Sequence, residues 1–208
     1  MPSVPDQPAG ANVSAQWADW RRSVDLEEYH TRWERMAATG QSSHGEADLV
    51  ESLRPSSVLD AGCGMGRVAI ELARRGVASA GVDLDDDLLR YARLDAPHLA
   101  WHHADLATMR LGEVFDVVVM AGNVLPFTDA VHRAAAVATC AAHLADGGHL
   151  VAGFTLAASI GPTAVAPVAL GDYDEWCNAA GLSLVDRFAT WERAPYDGGG
   201  YCVSVHRR

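Results

Sequence analysis

No lysine occurs anywhere in the 208 residues, and all 16 basic residues are arginine. That absence excludes a Schiff-base lysine, a pyridoxal-phosphate enzyme and a Walker-type phosphate loop, each of which needs a lysine amine. Runs of positive charge are also missing. No basic run exceeds two residues, and the 16 arginines face 27 acidic residues for a net charge of -11. Nucleic-acid affinity comes largely from cations that neutralise phosphates. The balance therefore argues against a nucleic-acid partner and suits a cationic cofactor or substrate. Cysteine is scarce: Cys63, Cys140, Cys177 and Cys202 are far apart and form no C-x-x-C pair. Disulfide frameworks belong to short secreted chains with a signal peptide, and Met1 to Ala15 lacks the basic start and apolar core of one. No apolar run reaches the roughly 18 residues of a membrane span. These absences predict a reduced, cytoplasmic protein with no membrane partner, a monomer or a homodimer.

What is present is ordinary globular material: 49% hydrophobic and 21% charged residues. The length suits one domain with a core that needs no covalent staple. Residues 1–12, rich in Pro, Gly and polar residues, read as a disordered tail. Residues 13–55 read as an N-terminal helical cover. Leu26, Tyr29, Trp33 and Met36 recur at helical spacing within Asp25–Met36, and Gly40 stops that helix. A second helix is predicted over Gly45–Leu53, ahead of Pro55.

From Ser56 to Arg208 the pattern alternates. Strands are predicted at Val58–Asp60, Ala78–Asp83, Ala100–His103, Phe115–Met120 and His149–Leu156. Helices are predicted at Arg67–Arg75, Asp86–Leu94 and Ala130–Leu144, the last ended by Gly147-Gly148. Such alternation means βαβ units and a parallel sheet. A helix over Tyr173–Ala180 follows. Ser183–Trp191 and Tyr201–Arg207 are then two strand-like runs with no helix between them, which predicts antiparallel pairing.

The chemistry concentrates at Val58-Leu59-Asp60-Ala61-Gly62-Cys63-Gly64-Met65-Gly66-Arg67. Gly62, Gly64 and Gly66 let the chain turn tightly and meet a ligand closely, and the helix behind them offers N–H groups. The dinucleotide pattern G-x-G-x-x-G needs Gly at 67, where this chain has Arg. Asp60 precedes the first glycine; a carboxylate there repels a pyrophosphate and suits an ammonium group. Asp83 closes the second strand, placed to accept from both ribose hydroxyls. Asp105 follows the third strand, where it can accept from an exocyclic adenine amine, with Leu106 offering a backbone N–H. All three acids sit at the carboxyl ends of strands, where open α/β sheets bind ligands.

These motifs resemble the class I S-adenosylmethionine-dependent methyltransferases. V-L-D-A-G-C-G-M-G-R is similar to their glycine-rich first motif, G-V-D at 81–83 to the acidic second motif, A-D-L at 104–106 to the adenine-contacting segment and F-D-V-V-V-M-A-G-N at 115–123 to the fourth-strand motif. L-A-D-G-G-H-L-V at 144–151 resembles the lead into strand five, with Asp146 where Pro is common. The resemblance covers about residues 56–207. It implies a Rossmann-like, doubly wound, seven-stranded α/β sheet, mostly parallel with an antiparallel C-terminal hairpin. It also implies S-adenosyl-L-methionine as cofactor, S-adenosyl-L-homocysteine as product, and no metal. In it, Gly62, Cys63, Gly64 and Gly66 hold the methionine part with Asp60 near its amino group. Asp83 holds the ribose, Asp105 and Leu106 contact the adenine, Leu84 packs on the adenine face, and Ala121 lies in the fourth-strand motif beside the cofactor.

The resulting expectation is an enzyme that methylates a small-molecule acceptor by in-line displacement. A protein methyltransferase, a non-catalytic S-adenosylmethionine-binding protein and a nicotinamide-dependent oxidoreductase are the competing readings. His44, in a polar stretch before the second helix, is a candidate base or simply a helix cap. Asn123 ends the fourth strand, where the family faces the transferred methyl, or serves a turn. Asn123-Val124-Leu125-Pro126-Phe127 departs from the Asn/Asp-Pro-Pro-aromatic pattern of base-methylating relatives. Tyr29, Trp33, Trp191 and Tyr196 are aromatic candidates for the acceptor pocket, though aromatics at helical spacing are commonly core. Cys63 reads as a small buried residue. His102 and His103, on opposite faces of a strand, do not share a metal. Ala157 to Leu170 is read as an apolar loop over the cleft.

Overall fold

The fold is taken from a computed structural model that describes residues 13–38, 44–157 and 167–208. The helices are α1 (Ala15–Ser23), α2 (Leu26–Ala38), α3 (Gly45–Ser52), α4 (Arg67–Arg74), α5 (Asp86–Asp95), the short α6 (Val124–Phe127), α7 (Arg133–Ala142) and α8 (Leu170–Ala179). The strands are β1 (Ser57–Ala61), β2 (Ala78–Asp83), β3 (Ala100–His103), β4 (Phe115–Met120), β5 (Leu144–Thr155), β6 (Ser183–Phe188) and β7 (Tyr201–Arg207). They form one seven-stranded sheet in the order β3-β2-β1-β4-β5-β7-β6. The first five run parallel, and β7 pairs antiparallel with both β5 and β6. This is the Rossmann-like α/β sheet with a reversed C-terminal pair that the alternation predicts.

Because successive side chains leave a strand on opposite faces, the apolar runs fill two cores. Leu59, Val118, Met120, Leu150 and Phe154 pack with Val137, Cys140 and Tyr173 on one face. Val58, Val117, Val119, Val151 and Val205 pack with Leu49, Val50, Val68 and Leu72 on the other. Val117–Met120 is a continuous apolar run because β4 is covered on both faces.

Four local features depart from the sequence reading. Helix α1 is additional; Ser14 starts it, its hydroxyl oxygen accepting the Trp17 N–H at 3.0 Å. The helix expected over Ala130–Leu144 begins as a 3-10 turn at Ala130–His132 and ends at Ala142. Gly147 and Gly148 do not end a helix but lie inside β5, which bulges between its pairings Phe115↔Leu144 and Val117↔His149. Gly147 sits at φ +77, and a Cβ on Gly148 would stand 2.9 Å from the Asp116 carbonyl. The strand expected to reach Trp191 stops at Phe188, after which an isolated bridge pairs Phe188 with Pro195.

Candidate active site

The carboxyl ends of β1, β2, β3 and β4 open into a cavity of about 460 Å³. Its floor is Gly62 and Gly64 after β1, Asp83 and Leu84 after β2, Asp105 and Leu106 after β3, and Gly122, Asn123 and Val124 after β4. Trp17, Trp20, Ser23 and Val24 from α1 and its end, Tyr29 and Arg32 from α2, and Phe127 and Thr128 close it from above.

The cover is clipped to the sheet at several points. Arg21 pairs with Asp85 and Asp87 at the start of α5, both at 2.7 Å. His30 meets Asp95 at 2.7 Å and stacks near Tyr91. At the other end the Ser14 hydroxyl donates to the Phe127 carbonyl at 2.5 Å, and Val13 bridges Thr128. Trp20 lies between Tyr29 and Phe127, with ring centroids 5.6 and 5.9 Å away.

Asp83 is central to the floor. One of its oxygens accepts the Gly64 N–H at 2.7 Å, the other the Asp85 N–H at 2.9 Å. Burial pushes its carboxyl up to about 6, against the lowering effect of those N–H bonds. Asp105 folds into a tight turn, its Oδ1 accepting the Ala107 N–H at 2.8 Å. The ring Nε2 of His103 lies 3.0 Å from the Leu84 carbonyl and braces that residue. Asn123 is left-handed, at φ 66; its side-chain oxygen accepts the Thr155 N–H at 2.8 Å, tying the ends of β4 and β5 together. Burial raises the Tyr29 hydroxyl, with Arg67 and Arg32 pulling the other way and Asp83 adding to the rise.

Asp60 is placed differently from the floor acids. It is not among the cavity-lining residues. It is 2% exposed and accepts the Ala69 N–H at 3.1 Å, in the first turn of α4. Gly66, the residue at that helix's N-cap, has no side chain to do so. Asp60 thus caps the helix from the preceding strand. Burial raises its carboxyl to about 7. Gly66 and Gly81 also stand behind the cavity wall, pressed against the Trp101 ring.

Of the sequence candidates, the cavity brings together Gly62, Gly64, Asp83, Leu84, Asp105, Leu106, Asn123 and Tyr29. Cys63 lies against Gly81, and burial holds its thiol well above the usual range, which favours a packing role. Ala121 packs against the second core, and its neighbour Gly122, at φ 72, lines the cavity instead. His44 precedes α3 with Nε2 4.0 Å from Glu71, outside the lining. Trp191 packs near Gly45 and Gly153 and donates to the Tyr201 hydroxyl at 3.0 Å, and Tyr196 packs on the other core; neither lines the cavity. The Trp33 side chain lies outside the described residues, as do residues 158–166 of the apolar loop. Trp17, Trp20, Arg32 and Phe127 were missed by sequence reading. The Ser14 cap ahead of two tryptophans is the one signal that marks α1. Among the described residues, no helix is long and apolar enough to cross a membrane.

The donor set fits an adenosyl cofactor: a glycine-backed recess, then carboxylates at the ends of β2 and β3 beside apolar Leu84, Leu88 and Leu106. Comparisons with known proteins point the same way. Residues 58–148 match the family model described as a methyltransferase domain. The TehB-like SAM-dependent methyltransferase of Corynebacterium glutamicum is 34% identical, with a TM-score of 0.76 over 86% of this chain and 96% of that one. CalS10, an amino pentose methyltransferase from Micromonospora echinaspora solved with SAM bound, shares the fold at 23% identity, with a TM-score of 0.68 over 89% of this chain and 97% of that one. A dTDP-3-amino-3,4,6-trideoxy-alpha-D-glucopyranose N,N-dimethyltransferase of Streptomyces venezuelae is 38% identical over 108 residues, 50% of this chain. That match spans 46% of the relative, so the chain covers less than half the length of this curated relative. With this fold, this floor of strand-end acids and a 34% identical relative matched over nearly its whole length, the chain belongs to the S-adenosylmethionine-dependent methyltransferases.

Proposed function

We propose that this chain binds S-adenosylmethionine in the 460 Å³ cavity and transfers its methyl group to a small-molecule acceptor. The observation that carries the reading is the convergence of Gly62, Gly64, Asp83 and Asp105 on one cavity closed by α1 and α2. When bound, the cofactor supplies a methyl on a sulfonium, whose bonding pair stays on sulfur as an acceptor lone pair forms the new bond.

The protein's part is holding, orienting and drying. Gly62 and Gly64 would let the methionine part approach the backbone, and Arg32 would face its carboxylate. Each carboxylate oxygen has two lone pairs, so Asp83 would hold both ribose hydroxyls while keeping its bonds to Gly64 and Asp85. Asp105 and Leu106 would take the adenine edge, with Leu84 and Leu88 against its faces. Asn123, fixed by Thr155, would border the transferred methyl, and Trp17, Trp20 and Phe127 would exclude water. Fixing two reactants in line contributes roughly 7–11 kcal/mol, so positioning is the main catalytic device.

Thermal unfolding with S-adenosylmethionine, S-adenosylhomocysteine and NAD, each titrated alone, tests this. A ligand at 100 times its dissociation constant adds about 2.7 kcal/mol, or roughly 5–10 °C for a chain of this size. Stabilisation by the two adenosyl sulfur compounds and not by NAD is expected. Their failure to stabilise folded, ligand-free protein overturns the reading. Binding with no methyl transfer to any acceptor would leave a binding protein rather than an enzyme.

A further inference from the structure

The cavity is chemically divided, and the division bears on the acceptor; the argument rests on the methyltransferase reading above. The carboxylates and the glycine loop belong to β1, β2 and β3. The opposite part, beside α6, is largely apolar: Trp17, Trp20 and Val24 from above, Val124 and Phe127 from the side, with Ser23, Tyr29 and Thr128 as the polar residues next to them. Trp20 packs on Phe127 with ring centroids 5.9 Å apart at a tilt of 47°, so the two rings form one aromatic wall.

Positive charge is scarce in the lining among the described residues. Arg32 on α2 is the one cation in the lining among the described residues. The arginines of α1 are turned elsewhere, Arg21 to Asp85 and Asp87 and Arg22 to Asp19. Residues 1–12, 39–43 and 158–166 contain no Arg, Lys or His, and Arg35 is the one cation whose side chain lies outside the described residues. Phosphate recognition relies on guanidinium or ammonium groups, and a chain of net charge -11 repels a pyrophosphate besides. The relative from Streptomyces venezuelae is named for a dTDP-linked amino sugar; among the described residues this lining offers a pyrophosphate a single arginine, Arg32.

No histidine or glutamate lines the cavity among the described residues, and its two carboxylates, Asp83 and Asp105, lie at the ends of β2 and β3, in the part assigned to the cofactor. We propose that the acceptor is a compact, uncharged, apolar amine without a phosphate. A neutral amine carries its lone pair ready and needs no base before attack. The nitrogen lone pair forms the N–CH₃ bond, the S–CH₃ pair stays on sulfur, and the ammonium produced gives its extra proton to water. Against an aromatic wall, an aryl amine offers the matching face.

The test compares p-toluidine with 4-aminophenyl phosphate, which carry the same aryl amine and differ at the para substituent. Binding of each to S-adenosylhomocysteine-saturated protein is measured by calorimetry, and labelled methyl transfer from S-adenosylmethionine is followed in parallel. p-Toluidine is expected to bind and accept methyl, with the phosphate at least about tenfold weaker. Equal or reversed preference, methylation of a dTDP-linked amino sugar, or no p-toluidine binding to the saturated protein overturns the proposal. Failure of S-adenosylhomocysteine itself to bind overturns the methyltransferase reading instead, which keeps the two apart. Val24→Arg places a guanidinium in the apolar half and is expected to shift the preference toward the phosphate; Thr128→Arg serves if that variant does not fold. An unchanged preference in a folded variant also counts against the proposal.

Discussion

The Asp83 carboxylate accepts the Gly64 N–H at 2.7 Å, so the acid that ends β2 fixes the glycine loop that follows β1. Its other oxygen takes the Asp85 N–H at 2.9 Å. One side chain therefore sets the spacing between the two parts of the floor before any ligand arrives.

Asp83→Asn keeps the shape and replaces one acceptor oxygen by a donor, which must face an N–H group. Loss of a hydrogen bond to a charged group costs about 1.5–3 kcal/mol. S-adenosylhomocysteine affinity is expected to fall about 10- to 100-fold by calorimetry. Unchanged affinity would separate Asp83 from the ligand.

Asp60 makes stability pH-dependent. It titrates near 3.9 when unfolded and at about 7 in the fold, because burial penalises its charge. Between these values the folded state holds more protons. The stability it contributes is complete below about pH 4 and lost as the pH rises through about 7. Asp60→Asn removes this titration and keeps an oxygen for the Ala69 N–H. The melting temperature of the variant minus that of the parent should rise between about pH 5 and pH 8. A flat difference would mean that Asp60 stays ionised throughout.

Trp101 lies so close to Gly81 that a Cβ there would stand 2.4 Å from ring carbon Cζ3. The indole cannot swing away freely, since its Nε1 donates to the Ala96 carbonyl at 2.9 Å. Gly81→Ala should cost about 1–3 kcal/mol by overpacking, a melting drop of roughly 2–12 °C in a chain of this size. Pairing it with Trp101→Leu should recover part of that loss; no recovery would place the strain elsewhere.

Arg21 joins the cover to Asp85, whose side chain is fully buried. Arg21→Ala leaves that carboxylate with its backbone partners Asp87 N–H and Leu88 N–H. The Arg21 side chain is 16% exposed, so the cost is expected below the 3–5 kcal/mol of a wholly buried pair, at about 1–3 kcal/mol. Faster proteolysis near α1 and a raised KM for S-adenosylmethionine should accompany it. If stability falls without either change, the pair supports α5 and not the cover.

Much of this was readable in the chain. Ala78–Asp83, Ala100–His103, Phe115–Met120 and Tyr201–Arg207 are strands at the residues where the apolar pattern places them. The turn to antiparallel pairing follows from the missing helix between the last two strands. Asp83 and Asp105 were legible because an acid at a strand end has a fixed position in an open α/β sheet. α1 was harder to read because two tryptophans and a serine cap in nine residues give only a weak apolar stripe.

The succession of strands and helices along the chain, the strand-end acids and the glycine turn were determined by local sequence, since period, turn chemistry and chain direction are properties of neighbouring residues. Whether an acid faces the ligand or a helix was not. Asp60 and Asp83 both sit at strand ends, yet one caps α4 and the other borders the cavity. The same holds for the aromatics: Tyr29 reaches the cavity while Trp191 packs against α3. Those choices depend on which distant elements come together, Arg21 with Asp85 and Ser14 with Phe127 across more than sixty residues each. Only the assembled tertiary structure brings such partners within reach.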